Sequence, residues 1–175
     1  MSHTSKGLES NKEDIRIAQQ IVNMGNTLKN VDSPYMNIAI AVARKPQIVV
    51  DALSNLLVNY YCRDIGFYGG VYRLNFSTYL EDIKGTWNGR AESKELEDKK
   101  IWITTAKYLI ITNLGLVRFG DFESQLLLTI FQDRSEEDKY TYVILESGAY
   151  KLPGKADSLF YNKLKQEFLN RGVRV

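Results

Sequence analysis

The chain has 175 residues, 44% hydrophobic and 25% charged, with a formal net charge of +2, a length and balance that suit one compact domain with a buried core. A single cysteine, Cys62, and a single histidine, His3, exclude a disulfide framework, a Cys/His zinc cluster and the nucleophilic triads that need a well-placed histidine. No apolar run reaches the roughly 18 residues of a membrane span, and Met1 to Ser10 is polar rather than signal-like, so the chain is expected in the cytoplasm.

Residues 1–10 read as a disordered tail and 11–175 as a single α/β domain that opens with a helix. Ser10 with Glu13 forms a capping box, and Ile15, Ala18, Ile21, Val22 and Leu28 recur at helical spacing over 11–30. After Asp32-Ser33-Pro34, the apolar run Asn37 to Val42 predicts a strand buried on both faces. Pro46 permits a helix start, with Leu53, Leu56, Leu57 and Tyr60 as its inward stripe to about Tyr61. Gly66, Gly69 and Gly70 precede a second strand, Val71 to Phe76, whose alternation separates Tyr72, Leu74 and Phe76 from Val71, Arg73 and Asn75. Thr78 is the expected cap of a short helix through Leu80, Ile83 and Trp87, and the charge-rich stretch 85–100 reads as part loop and part helix.

Lys107 to Thr112 predicts a third buried strand closed by Gly115. Asp121 then caps a helix whose apolar positions are Phe122, Leu126, Leu127, Ile130 and Phe131. Thr141 to Leu145 is a fourth strand, Ser158 opens a helix through Phe160, Leu164 and Phe168, and Gly172 to Val175 is placed as a last short strand. Buried strands alternating with helices define a mainly parallel sheet covered on both faces, a three-layer sandwich. Its ligand crevice lies beyond the carboxyl ends of the strands.

An ATPase of this layout needs a glycine-rich phosphate loop with a Lys after the first strand, and acidic residues for Mg²⁺ at the end of the third. Here the first connection reads Ala43 to Val50 without a glycine, with Val49-Val50 where the Lys and the Ser/Thr would stand. Arg44 and Lys45 are the cations left in it, and the third strand ends in Thr112-Asn113. No cofactor or metal is expected.

With those residues in view, the chain resembles the helicase-loader-type AAA+ ATPases, the group of DnaC, DnaI and the transposon-associated IstB proteins. Ala106 to Gly115 looks like the family's Walker B strand with its DDLG or DDIG ending. Leu126 to Tyr150 looks like the helix ending in Arg, a short polar link and the sensor strand. More loosely, Asn37 to Cys62 is similar to the Walker A strand, loop and helix, and Val71 to Trp87 to the next strand and helix. The resemblance implies a P-loop NTPase/AAA+-like fold with strand order 5-1-4-3-2. It puts Thr112-Asn113 at the Walker B acids, Ser147 and Gly148 at the sensor, and Arg134 at the arginine finger, a candidate partner contact. Arg134 also reads as a helix-end arginine that satisfies carbonyls or pairs with Asp133 or Glu137.

Two further features stand outside the resemblance. Tyr60-Tyr61-Cys62-Arg63, Phe67-Tyr68, Tyr72-Arg73 and Tyr79 interleave aromatic and basic residues, which suits either core packing or a base-stacking platform. Trp87 and Trp102 read as anchors of packing. Residues 151–175 carry six basic against two acidic residues, and 116–139 carry three basic against six acidic. This asymmetry fits two solvated helix faces or a basic contact surface. The functional expectation is a non-catalytic loader-like protein in DNA replication, contacting a replicative helicase, a helicase loader or another AAA+ subunit. The alternative is a single-stranded nucleic-acid-binding module with Arg63, Tyr68, Arg73, Lys163, Lys165, Arg171 and Arg174 as contacts; a third reading is an enzyme that uses Asp51, Asp64 or Glu146.

Overall fold

The computed structural model of the chain describes residues 12, 15, 16, 19, 37–42, 46–58, 70–146, 159–170 and 172–174. The expected tail at 1–10 and most of the helix expected over 11–30 lie outside them. Lys12, Ile15, Arg16 and Gln19 are helical, and Ile15, expected on the buried stripe, is exposed.

Five strands, β1 (Asn37–Ala41), β2 (Val71–Asn75), β3 (Tyr108–Thr112), β4 (Tyr140–Leu145) and β5 (Gly172–Arg174), form one sheet in the order β2-β3-β4-β1-β5. Read from its other edge the order is 5-1-4-3-2, as the resemblance implied, and every pairing is parallel. Among the described residues, the helices α1 (Pro46–Leu56), α2 (Phe76–Thr86), α3 (Lys94–Thr105), α4 (Asp121–Glu136) and α5 (Leu159–Asn170) connect and cover these strands. A 3₁₀ turn occupies Leu114–Leu116.

β1, β3 and β4 are apolar on both faces because both faces are covered, whereas the edge strand β2 exposes Arg73 and Asn75. On one, Ile40, Ile110, Tyr142 and Ile144 meet Val49, Val50, Leu53 and Leu57 from α1 and the turn after it. On the other, Leu74, Leu109, Ile111, Val143 and Leu145 meet side chains of α2, α3, α4 and α5. The result is the expected three-layer sandwich. No helix among the described residues is long and apolar enough to cross a membrane.

Two helix starts differ from expectation for a local reason. β2 ends at Asn75, whose side chain accepts the Thr78 N–H at 3.2 Å, so Asn75 and not Thr78 is the cap and Phe76 enters the core as the first helical residue. Asp121 is likewise the first residue of α4 rather than its cap, because the Glu123 carboxylate reaches back to the Gly120 N–H at 3.0 Å. The stretch expected as part loop and part helix contains α3, which Ser93 caps by accepting the Leu96 N–H.

Glu123 also receives Lys84 at 2.6 Å, tying the end of α2 to the start of α4. Burial on its own raises the Glu123 carboxyl, but the Lys84 ammonium and the N–H groups of Glu123 and Gly120 together hold it below the usual carboxylate range. A depressed folded value means stability that is present above the unfolded pKa of about 4.3 and lost as pH falls through the folded one. Glu123→Gln is expected to cost about 1 kcal/mol in urea unfolding at neutral pH, with the difference from the parent closing in acid below the carboxylate range. A difference that stays constant with pH would assign the contact to packing instead.

Candidate functional site at the strand ends

At the carboxyl edge of the sheet, the side chains of Asn75 and Thr112 are committed to the fold. Asn75 caps α2, and the half-buried Thr112 hydroxyl donates to the Leu74 carbonyl at 3.4 Å. Asn113 takes the left-handed conformation (φ 60°, ψ 33°) that turns the chain into the 3₁₀ turn, a conformation Asn tolerates better than most residues. Glu146, just past β4, brings a half-buried carboxylate toward the turn, its Oε2 4.0 Å from where a Cβ on Gly115 would lie. Leu116 projects from the same turn with 75% exposure. On α1, Val49 and Val50 are packed into the core. Residues 43–45, Ser147 and Gly148 lie outside the described residues. Among the described residues no group of three or more His, Cys, Asp or Glu side chains is gathered to hold a metal ion.

Arg134 stands at the opposite end of the sheet, and the expectation that it contacts a partner is corrected by its surroundings. The residue is 2% exposed. Its Nε donates to Thr141 Oγ1 at 2.9 Å, and Nη1 to the carbonyls of Ile103 at 2.6 Å and Ala106 at 2.8 Å. Nη2 donates to the carbonyls of Lys107 at 3.3 Å and Tyr140 at 2.7 Å. A guanidinium has five N–H donors, and all five are used inside the fold. The helix-end reading is the one that holds, except that the carbonyls satisfied belong to the end of α3 and the starts of β3 and β4 rather than to α4 itself. A cation at the carbonyl end of α3 also meets the negative pole of that helix. Burial pushes the guanidinium down to about 10, opposed by the neighbouring Glu137, which leaves it charged at neutral pH.

The nucleic-acid candidates do not form one surface among the described residues. Arg73 on β2 is held by Asp51 of α1 at 2.9 Å, so its charge is already matched. Asp51, one of the carboxylates considered for an enzyme, also accepts from Gln47 at 3.1 Å. Lys163 and Lys165 are exposed on α5. Arg63, Tyr68, Arg171, Asp64 and the tyrosines at 60 and 61 lie outside the described residues, as does the side chain of Arg174. Tyr72 and Tyr79 belong to the core side of the sheet, half-buried and buried respectively.

The two tryptophans are half of what was expected. Trp87 packs edge-on to Phe122 at 4.9 Å and Trp102 edge-on to Tyr72 at 5.3 Å, yet Trp87 is 59% and Trp102 55% exposed. The readable signal for the second was the spacing in α3, where Leu96 and Ile103 make an inward stripe that leaves Ile101 and Trp102 on other sides.

The all-parallel sheet, its strand order and the helices on both faces make an α/β three-layer sandwich, and comparison with solved structures finds the same fold in replication proteins. The DnaC helicase loader is similar with a TM-score of 0.57 and 11% identity, over 89% of this chain and 86% of that one. AMPPCP-bound DnaA from Aquifex aeolicus gives 0.61 and 15%, over 92% of this chain and 46% of that one. Domain III of the Thermotoga maritima replication initiation protein DnaA gives 0.57 and 12%, over 86% and 58%. The chain therefore spans most of the DnaC structure and about half of the DnaA structures, and at these identities the likeness is one of fold. No family model matches the sequence. No curated protein matches it either.

Removing Arg134 takes a donor from four carbonyls and one hydroxyl, of which the Lys107 carbonyl keeps the Tyr140 N–H at 2.9 Å. Arg134→Ala is therefore expected to lower unfolding free energy by several kcal/mol, since each buried acceptor left unmet costs about 1–3 kcal/mol. Arg134→Lys, with three donors in place of five, should fall between the variant and the parent in the same denaturant titration. An Arg134→Ala protein as stable as the parent would show that the clamp is dispensable.

Proposed function

We propose that the chain is a non-catalytic, loader-like protein that acts in DNA replication through contacts with a replicative helicase, a helicase loader or another AAA+ subunit. The observation that carries this reading is the likeness to the DnaC helicase loader over most of both chains, combined with what stands at the nucleotide positions of that fold. A phosphate-binding loop needs close backbone N–H groups, a Lys and a Mg²⁺-binding hydroxyl. The sequence Ala43 to Val50 supplies no glycine, and buries Val49 and Val50 where the Lys and hydroxyl would be. The end of β3 supplies Thr112 and Asn113 where acids would hold the metal; the Thr112 hydroxyl donates to the Leu74 carbonyl of β2 and Asn113 forms the turn. With Arg134 sealed inside, a finger in a neighbour's site is not part of the proposal. The protein is left to act through its outer surface.

Affinity capture of the tagged chain from its native cell, with half of the lysate treated with nuclease, tests this directly. Recovery of a replicative helicase, a loader or another replication ATPase in both halves is the expected result. Loss of the retained proteins on nuclease treatment would transfer support to the single-stranded nucleic-acid reading.

A further inference from the structure

α2 ends at Thr86, and the chain crosses to α3 through an exposed turn, Trp87-Asn88-Gly89-Arg90. This turn holds the one Asn-Gly pair in the sequence, which has no Asp-Gly pair. The side-chain amide carbon of an asparagine can close a five-membered ring with the backbone nitrogen of the next residue. A side chain on that next residue crowds the approach, and glycine has none. The surroundings are open as well, since Asn88 and Gly89 are exposed and nothing lies within 4 Å of where a Cβ on Gly89 would stand.

The turn is lightly held. The Gly89 N–H donates to the Thr86 carbonyl at 3.2 Å and the Trp87 N–H to the Lys84 carbonyl at 3.2 Å, both at a helix end, where opening costs least. The Asn88 side chain makes no hydrogen bond among the described residues. Other asparagines are placed differently. Asn55 and Asn162 lie inside α1 and α5, the Asn75 side chain is taken by the cap of α2, and Asn113 precedes the buried Leu114.

We propose that Asn88 is a site of spontaneous, one-way modification in the folded protein, deamidated by water to aspartate and isoaspartate through a cyclic imide with Gly89. The Gly89 nitrogen gives up its proton and attacks Asn88 Cγ. The new C–N bond closes the ring, the Cγ–Nδ2 bond breaks, and Nδ2 leaves with the proton as ammonia. Water then opens the imide. Addition at Cγ breaks the new bond and leaves aspartate, whereas addition at the Asn88 backbone carbonyl carbon breaks the original peptide bond and leaves isoaspartate, with the main chain running through Cγ. One water is consumed and one ammonia released, with nothing oxidised or reduced.

Either product carries a carboxylate at neutral pH where the chain had an amide, so the formal net charge falls by one from +2. The new charge stands just past the C-terminus of α2, where the helix dipole disfavours it, and next to the edge-on pair of Trp87 and Phe122. Older and newer copies of the protein therefore present different surfaces at this turn. The inference is independent of the loader-like reading.

The full folded chain, held at neutral and at mildly alkaline pH in water enriched in heavy oxygen, tests it when its peptides are separated and weighed over several weeks. Asn88→Gln and the parent unfolded in guanidinium chloride are followed beside it. The Asn88 peptide of the folded parent should split into isoaspartate and aspartate forms, each carrying the heavy oxygen, and faster at the higher pH. Its rate should lie within about tenfold of the unfolded sample's, because local opening at a helix end costs little. Asn88→Gln, which would need a six-membered ring, should form neither product. A folded parent that stays intact while the unfolded chain converts would overturn the proposal. So would aspartate without isoaspartate, which means direct hydrolysis of the amide, or products lacking the heavy oxygen, which arise during digestion.

Discussion

The structure turns on one buried cation. Arg134 gathers the end of α3, the first residues of β3 and β4 and the last turns of α4 into a single set of hydrogen bonds. A guanidinium is the side chain suited to this place, since its planar fork directs five donors at once and it is less strongly hydrated than an ammonium. Burying that charge is unfavourable by itself, and the arrangement stands because no donor is left unmatched. The clamp sets where β3 and β4 begin, and so the register that carries their alternating apolar side chains to the two core layers.

That placement divides the molecule. Its amino edge holds the polar interior network, and its carboxyl edge, where this class of fold presents its ligands, holds Asn75, Thr112 and Asn113 beside the half-buried Glu146 carboxylate. Asn75 caps α2, the Thr112 hydroxyl donates across to the Leu74 carbonyl of β2, and Asn113 forms the turn through its left-handed backbone. The proposed function follows from that division. A fold like that of DnaC is present, and the proposal takes its strand ends to be structural and its outer surface, including the exposed face of α3, to be the working part.

How much of this was legible in the sequence depended on how local the deciding interaction is. The four longer strands could be read closely because a strand covered on both faces must be apolar at nearly every position, and Tyr108 to Thr112 and Tyr140 to Leu145 are. The start of α2 was misplaced by three residues because Asn75 and Thr78 are both good caps, and only the burial of Phe76 decides between them. α3 was half hidden, since its charges read as loop and its exposed Trp102 as core. Arg134 was singled out for the wrong role. A charged residue near a helix end reads as surface, and its acceptors lie 28 and 31 residues before it in α3 and 7 residues after it in β4. No periodicity reports carbonyls that come together only in the folded chain.

The central claim is that the nucleotide-binding layout survives as a scaffold without its ligand. Titration calorimetry of the protein with ATP and Mg²⁺, carried to about 1 mM, the upper range of ordinary substrate affinities, tests it most directly. The account predicts no saturable heat, with or without Mg²⁺. A one-site, Mg²⁺-dependent isotherm would contradict it and would return the carboxyl edge of the sheet to the status of a working site.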